Sequence, residues 1–300
     1  MAPSAPFVVC SGLTTVDVAH LVDHVPSSNV KVASQDFFLA AGGPATNGAV
    51  AAAACGSRAR LVTALPSHPL SDLIRADLAD CGVDLHVADG SPTGPPLTAA
   101  IMVTRATGER AVVSPTTAAV DVPHTPDNFD ASALVHGATA VLIDGYHRHL
   151  AVPIAQAARE AGIPVVLDAG SHKPYTDDLL AVTDVAVVSD DFTFPGGGSP
   201  EATLAALVER GVKAAVVTRG GGPMLVQVGT HVTEVPVAPV EVVDTLGAGD
   251  VLHGALAHRL AAWGLDLDRL PADLEWASRV VAVSLRTFGT RAWLNEALPQ

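Results

Sequence analysis

Cysteine is nearly missing from this 300-residue chain, which holds only Cys10, Cys55 and Cys81. An odd number without CxxC spacing excludes a disulfide framework and a cysteine zinc site, and fits a reducing, cytoplasmic compartment. Basic residues are also scarce: 17 Lys+Arg face 31 Asp+Glu, a formal charge of -14. Such a surface repels nucleic-acid backbones and anionic lipid, so neither is expected as a partner. No apolar run approaches the roughly 20 residues of a membrane span; the longest is Ala49 to Cys55. Met1 to Ser11 has no basic region ahead of its apolar stretch, so no secretory leader is expected.

Several catalytic signatures are absent as well. The first turn, Ser11-Gly12-Leu13-Thr14, is not the GxGxxG of a dinucleotide-binding dehydrogenase. No GxxxxGK[ST] phosphate loop, GxSxG nucleophile elbow or HExxH zinc helix occurs, which removes the commonest nucleotide hydrolases, serine hydrolases and zinc hydrolases. His147 and His149 lack a third metal-ligand spacing, so a polar loop is the better reading of that pair.

What is present is a hydrophobic fraction of 49%, with 26 Gly and 22 Pro, the composition of a globular chain rich in turns. Strand-like and helical runs alternate, as a parallel sheet with helices on its faces requires. Strands are expected at Phe7–Cys10, Ala59–Ala64, Ala138–Leu142, Pro164–Asp168, Ala186–Ser189 and Ala214–Thr218. Helices are expected at Ala45–Cys55, Ser71–Cys81, Val152–Ala161, Ala202–Arg210, Asp250 to about Trp263, and about Leu274–Leu285. The beat breaks over about 16–40 and 97–114, where Thr98–Thr104 and Arg110–Ser114 flank the turn Ala106-Thr107-Gly108-Glu109. The latter reads as a β-hairpin, and short strands outside the main alternation suit a lid over the sheet edge. One domain over 1–300 is expected, a three-layer α/β/α sandwich with a small β-sheet lid.

The most informative segment is Asp244-Thr245-Leu246-Gly247-Ala248-Gly249-Asp250, running into an apolar small-residue helix. A glycine-rich turn that opens a helix converges backbone N–H groups on one point and adds the dipole's partial positive charge, so it holds a phosphoryl group without spending a lysine. An unpaired carboxylate beside such a hole makes sense as a base that takes a proton from an attacking hydroxyl, which assigns that role to Asp250. The bland alternative is that Asp250 caps the helix and the glycines only turn the chain.

That extended segment resembles the C-terminal signature of the ribokinase-like (PfkB) family of carbohydrate kinases. Ala41-Gly42-Gly43-Pro44-Ala45-Thr46-Asn47-Gly48-Ala49 resembles the family's N-terminal signature, in the right order. Gly42 and Gly43 are expected to let a polyol approach the main chain, and the Asn47 amide to meet its hydroxyls. Asp17, after the first strand, stands where the family places an aspartate that accepts from sugar hydroxyls. Val216-Val217-Thr218-Arg219-Gly220-Gly221-Gly222 resembles the nucleotide-side loop, which assigns Thr218, Gly220 and Gly222 to ATP, with Arg219 as a phosphate contact. Thr245 and His253 are assigned to the nucleotide as well, with packing as the other reading of His253, and Arg105 and Arg110 are read as lid cations.

The resemblance implies ATP and Mg²⁺ as cofactors and a monovalent cation, K⁺, at Asp244 and Gly289. The family's Asn-x-x-Glu pattern, which organises water around Mg²⁺, is replaced here by Val188-Ser189-Asp190-Asp191-Phe192, so Asp190 and Asp191 are the outer-shell candidates. The implied reaction transfers the γ-phosphoryl of ATP to a hydroxyl of a small sugar or polyol, on the turn Gly247, Ala248 and Gly249, with the N–H groups of Ala248, Gly249 and Asp250 stabilising charge on the transferred group. Family members also pair through their lids, so a homodimer is expected. Residues 100–103, 108–110 and 253–257 resemble the ketose-directed branch that includes fructose and sulfofructose kinases. A nucleoside or 2-keto-3-deoxy sugar acid kinase of the same fold, and a non-catalytic sugar or nucleotide sensor, are the competing readings.

Overall fold

The computed structural model describes residues 5–90, 93–115 and 124–300. In chain order its elements are β1 (Phe7–Ser11), β2 (Thr15–Val22), β3 (Asp36–Gly42), α1 (Pro44–Ala54), β4 (Arg58–Thr63), α2 (Pro69–Asp80), β5 (Val83–Val87), β6 (Thr98–Thr104) and β7 (Arg110–Val113). There follow α3 (Ala131–Val135), β8 (Ala140–Ile143), α4 (Arg148–Glu160), β9 (Val165–Ala169), α5 (Thr176–Leu180), β10 (Val185–Ser189), α6 (Pro200–Glu209) and β11 (Ala214–Arg219). The chain closes with β12 (Gly222–Val228), β13 (His231–Val235), α7 (Ala248–Trp263), α8 (Leu270–Ser284) and a 3₁₀ turn at Ala292–Asn295.

A nine-stranded sheet in the order β13-β12-β11-β10-β9-β8-β1-β4-β5 forms the middle layer. From β11 to β5 every pairing is parallel, and β12 and β13 add an antiparallel hairpin at one edge. The alternation of strand side chains builds the two flanking layers. Val8, Cys10, Val185 and Val187 point into the core under α1, α2, α7 and α8. Phe7, Val9, Ala186 and Val188 point into the core under α4, α5 and α6. The expected three-layer sandwich is therefore present.

The two stretches that break the alternation form a separate four-stranded sheet, β3-β2-β6-β7. One face of it, with Ala19, Ala99, Ile101 and Val103, is buried over the main body. Several boundaries differ from the sequence reading, among them the start of α4 at Arg148 rather than Val152. Helix α8 begins at Leu270 because Pro271, which needs no N–H partner in a first turn, starts it earlier. The β12–β13 hairpin follows a two-residue Gly220-Gly221 turn that the sequence reading takes for an open loop.

Helices α1 and α7 pack unusually close. A Cβ at Gly254 would lie 2.2 Å from the Gly48 carbonyl oxygen and 2.7 Å from Ala51 Cβ, so only glycine fits there. Every residue from Val251 to His258 is buried, which explains why α7 is apolar on all sides rather than along one stripe. The contact brings the N-terminal ends of both helices to the carboxyl ends of β1 and β8. Neighbouring connections diverge there, and open α/β sheets place their ligands in that crevice.

Candidate active site

The turn before α7 is held from both sides. Asp244 is buried; its Oδ1 accepts the Leu246 N–H at 2.8 Å and its Oδ2 accepts the Gly289 N–H at 2.9 Å. Burial pushes its carboxyl up, and the two N–H donors oppose that. Gly247 takes the left-handed conformation, φ 73°, just ahead of the helix. A methyl there would also meet Thr290 Cγ2 at 3.2 Å. The Ala248 N–H already donates to the Thr245 carbonyl at 3.3 Å. Among the described residues the Gly249 and Asp250 N–H groups find no protein acceptor, so these two stand open at the helix N-terminus.

Asp250 sits in the first turn of α7, where its Oδ2 accepts from Asn47 Nδ2 at 2.8 Å. Its Oδ1 has no hydrogen-bond partner among the described residues. Asn47, expected to meet the sugar, thus spends its amide inside the protein: its Oδ1 accepts from Arg291 Nη1 at 3.2 Å.

Asp17 lies on the buried face of β2 and accepts from Thr15 Oγ1 at 2.7 Å. Burial pushes its carboxyl up to about 6; the Thr15 hydroxyl pulls it down, the Asp250 charge adds to the rise and Arg291 offsets it. The glycines beside it are required by close protein contacts. A Cβ at Gly42 would lie 2.1 to 2.2 Å from the Asp17 carboxylate atoms, and one at Gly43 would lie 2.3 Å from the Leu13 carbonyl oxygen.

Across the cleft the structure adds residues that the sequence reading leaves out. Asp144, just beyond β8, is buried and accepts the N–H groups of Leu13, Ala45 and Tyr146 at 2.8, 3.0 and 2.9 Å. It fills the space a side chain at Gly12 would need. Asp168, at the end of β9, is buried beside His253, with Nδ1 3.1 Å from its Oδ2. Burial raises its carboxyl, with His253 pulling the other way and Asp250 and Asp144 adding to the rise. Lys173 Nζ stands 4.2 Å from the centre of the Tyr146 ring, and burial lowers its ammonium. The signal for Asp144 and Asp168 was available: each is a carboxylate at the carboxyl end of an apolar parallel strand, the rim where such sheets bind ligands.

His253, assigned to the nucleotide, is turned inward. Its Nδ1 contacts the Gly249 carbonyl at 2.6 Å and its Nε2 the Val187 carbonyl at 3.2 Å, so it locks α7 onto the sheet. Arg219, read as a phosphate contact, is engaged within the hairpin, donating to Pro223 O at 2.7 Å and pairing with Glu234 at 2.9 Å. Thr218 ends β11, Gly220 makes the turn at φ 55°, and Gly222 opens β12. The Asp190 N–H donates to the Thr218 carbonyl at 2.9 Å, which places exposed Asp190 and Asp191 beside that strand end. Thr245 contacts the lid: its hydroxyl donates to Gly108 O at 3.0 Å, and Arg110 Nη1 donates to its hydroxyl at 3.1 Å. Arg105 instead donates to Gln35 Oε1 at 2.7 Å.

Comparison with known proteins agrees with this geometry. The profile of the pfkB family carbohydrate kinases matches residues 5–296. A ribokinase from Mus musculus is 25% identical over 301 residues, covering 96% of this chain and 91% of that protein. A bifunctional ribokinase/ribose-5-phosphate isomerase A from Fructilactobacillus sanfranciscensis is 26% identical over 181 residues, 56% of this chain, and this match spans 32% of that longer protein. Arabidopsis thaliana ribokinase, solved with ribose and ATP, superposes with a TM-score of 0.73 at 20% identity, over 99% of this chain and 100% of that one, a likeness of fold.

Proposed function

The chain belongs to the pfkB family of carbohydrate kinases, which phosphorylate sugars with ATP, and from that premise we propose that it transfers the γ-phosphoryl of ATP to a hydroxyl of a small sugar or polyol, using Asp250 as base. One observation carries the reading. Asp250 Oδ2 is pinned by Asn47, and among the described residues its Oδ1 has no partner, while beside it two backbone N–H groups find no acceptor at a helix N-terminus.

In the proposed step the acceptor O–H gives its proton to Asp250 Oδ1 as its oxygen bonds to the γ-phosphorus, and the bond to the β-phosphate oxygen breaks, releasing ADP. The Gly249 and Asp250 N–H groups stabilise charge on the phosphoryl oxygens in flight. Asp17 accepts a second hydroxyl and so orients the sugar. The lid, tied to Thr245 through Gly108 and Arg110, excludes water that would otherwise consume ATP.

When bound, Mg²⁺ neutralises charge between the β- and γ-phosphates. Asp190 and Asp191 supply exposed oxygen donors beside Thr218, suited to holding its waters. Asp244 is a buried carboxylate with no ion pair among the described residues, an arrangement that fits a monovalent cation held there with the Gly289 carbonyl. No helix among the described residues is long and apolar enough to cross a membrane, and the three free thiols support a cytoplasmic setting. The outward face of the lid exposes Phe37, Leu39 and Val113, which supports a homodimer through that sheet; size-exclusion chromatography showing a monomer at high concentration removes it.

The deciding experiment is ATP consumption over a panel of sugars with wild type and Asp250→Asn. Since the amide oxygen of asparagine still accepts from Asn47, the variant folds and loses roughly 10³-fold or more in turnover. A sensor would bind ligand and show no Asp250-dependent phosphorylation, and retention of most activity in the variant would strip Asp250 of its role.

A further inference from the structure

Arg291 is 17% exposed and makes more hydrogen bonds than any solvated arginine needs. Its Nη2 donates to Asp77 Oδ2 at 2.9 Å and to the Ala41 carbonyl at 2.7 Å. Its Nη1 donates to Asn47 Oδ1 at 3.2 Å and to the Thr290 carbonyl at 3.0 Å. Asp77 in turn accepts the Ala41 N–H at 3.0 Å. One planar fork therefore ties together α2, the end of lid strand β3, the closing loop and α1.

The consequence lies in the Asn47 amide. A side-chain amide can rotate by half a turn, and its two ends have opposite polarity. With the guanidinium on one side, the Asn47 oxygen must face Arg291, and its NH₂ is thereby delivered to Asp250 Oδ2. In the flipped state the amide oxygen would confront the Asp250 carboxylate and NH₂ would confront the guanidinium, two repulsive contacts in place of two hydrogen bonds.

We propose that Arg291, anchored by Asp77, is a positioning residue that fixes the Asn47 amide orientation and so holds the Asp250 carboxylate with Oδ1 presented to the acceptor. This rests on the reading of Asp250 as the base and extends it to a residue 41 positions further along the chain. It also explains why the closing loop must reach the acceptor side of the cleft: the loop carries the cation that orders the base.

Two readouts test it. In the first, independent of catalysis, the Asn47 side-chain NH₂ signals, assigned by their loss in Asn47→Ser, are followed by ¹⁵N NMR. They exchange slowly with solvent in wild type and about tenfold or more faster in Arg291→Met. In the second, phosphorylation of D-fructose and D-ribose by radiolabelled ATP is measured in a double-mutant cycle. Arg291→Met lowers kcat about 10- to 100-fold with the KM for ATP unchanged, Arg291→Lys recovers part of it, and Arg291→Met added to Asp250→Asn lowers the residual rate no further.

Unchanged Asn47 exchange in Arg291→Met, or losses that multiply in the double variant, overturn the positioning role and leave the kinase reading standing. A full rate in Asp250→Asn sinks the kinase assignment of the base while the NMR result still judges the Arg291–Asn47 link. If Arg291→Met does not fold, Asp77→Asn, which loosens the anchor and keeps its shape, gives the same non-additive pattern with a smaller loss; additive behaviour there refutes the proposal equally.

Discussion

Replacing Gly249 with alanine separates what the protein needs from what a bound phosphate needs. Gly247 and Gly254 are glycines because of neighbouring atoms and backbone angles, but a Cβ built on Gly249 meets no atom within 4 Å, and its backbone is outside the left-handed region. The residue lies in the first turn of α7, where alanine is a better helix former than glycine by up to about 1 kcal/mol. For a chain of this size that gain raises Tm by roughly 1 to 3 °C. Catalysis should move the other way. A phosphoryl oxygen on the Gly249 N–H sits about 2.9 Å from the nitrogen. Displacing the transferred group by about 1 Å from its aligned position costs on the order of 10²-fold in rate. The assay is a pair of measurements on one variant, a thermal melt and kcat/KM with an accepted sugar. A variant that melts higher and keeps full activity would refute the claim that this turn cradles the phosphoryl group, and one that melts lower would refute the reading of open space around residue 249.

Other substitutions probe the frame around the turn. Gly254→Ala forces a Cβ to within 2.2 Å of the Gly48 carbonyl oxygen, so α1 and α7 must part; the overpacking costs about 1 to 3 kcal/mol, read as a lower denaturant midpoint. Because the Asn47–Asp250 bond spans the same two helices, kcat should fall with stability. With the Asp17 carboxyl raised to about 6 by burial, the sugar KM should climb as pH falls through that value, since the protonated form gives up an acceptor oxygen; Asp17→Asn should flatten the profile. The same shift makes the folded state bind the Asp17 proton more tightly than the unfolded chain, so its contribution to stability is present below about pH 4 and is lost as pH rises through about 6, in a melt series on wild type against Asp17→Asn.

The alternation of apolar strands and helices made the layered fold readable in advance, because each parallel strand is buried on both faces and must be apolar throughout. The lid was readable for the opposite reason, as two stretches that the alternation could not absorb. Asp250 and its turn were readable from spacing, since the residues that make the hole are contiguous. The link from Asn47 to Arg291 and Asp77 was not. Their link joins segments 203, 244 and 214 positions apart, and no local pattern announces a hydrogen bond across such distances. Gly42 carries a second requirement hidden from local pattern: the space a Cβ would take there is filled by Asp17 from a neighbouring strand. His253 stayed open between nucleotide contact and packing, because position one turn past Asp250 does not say which side of the helix faces the sheet.

The bond between Asn47 and Asp250 joins two residues 203 positions apart in the polypeptide, and Arg291 reaches back 244 positions to the same amide. The base therefore takes its place only once segments more than two hundred residues apart in the chain have met. A half-formed molecule in which residues 291–300 have yet to dock would hold the carboxylate in place less firmly, so late docking of that segment sets when the cleft can first turn over nucleotide.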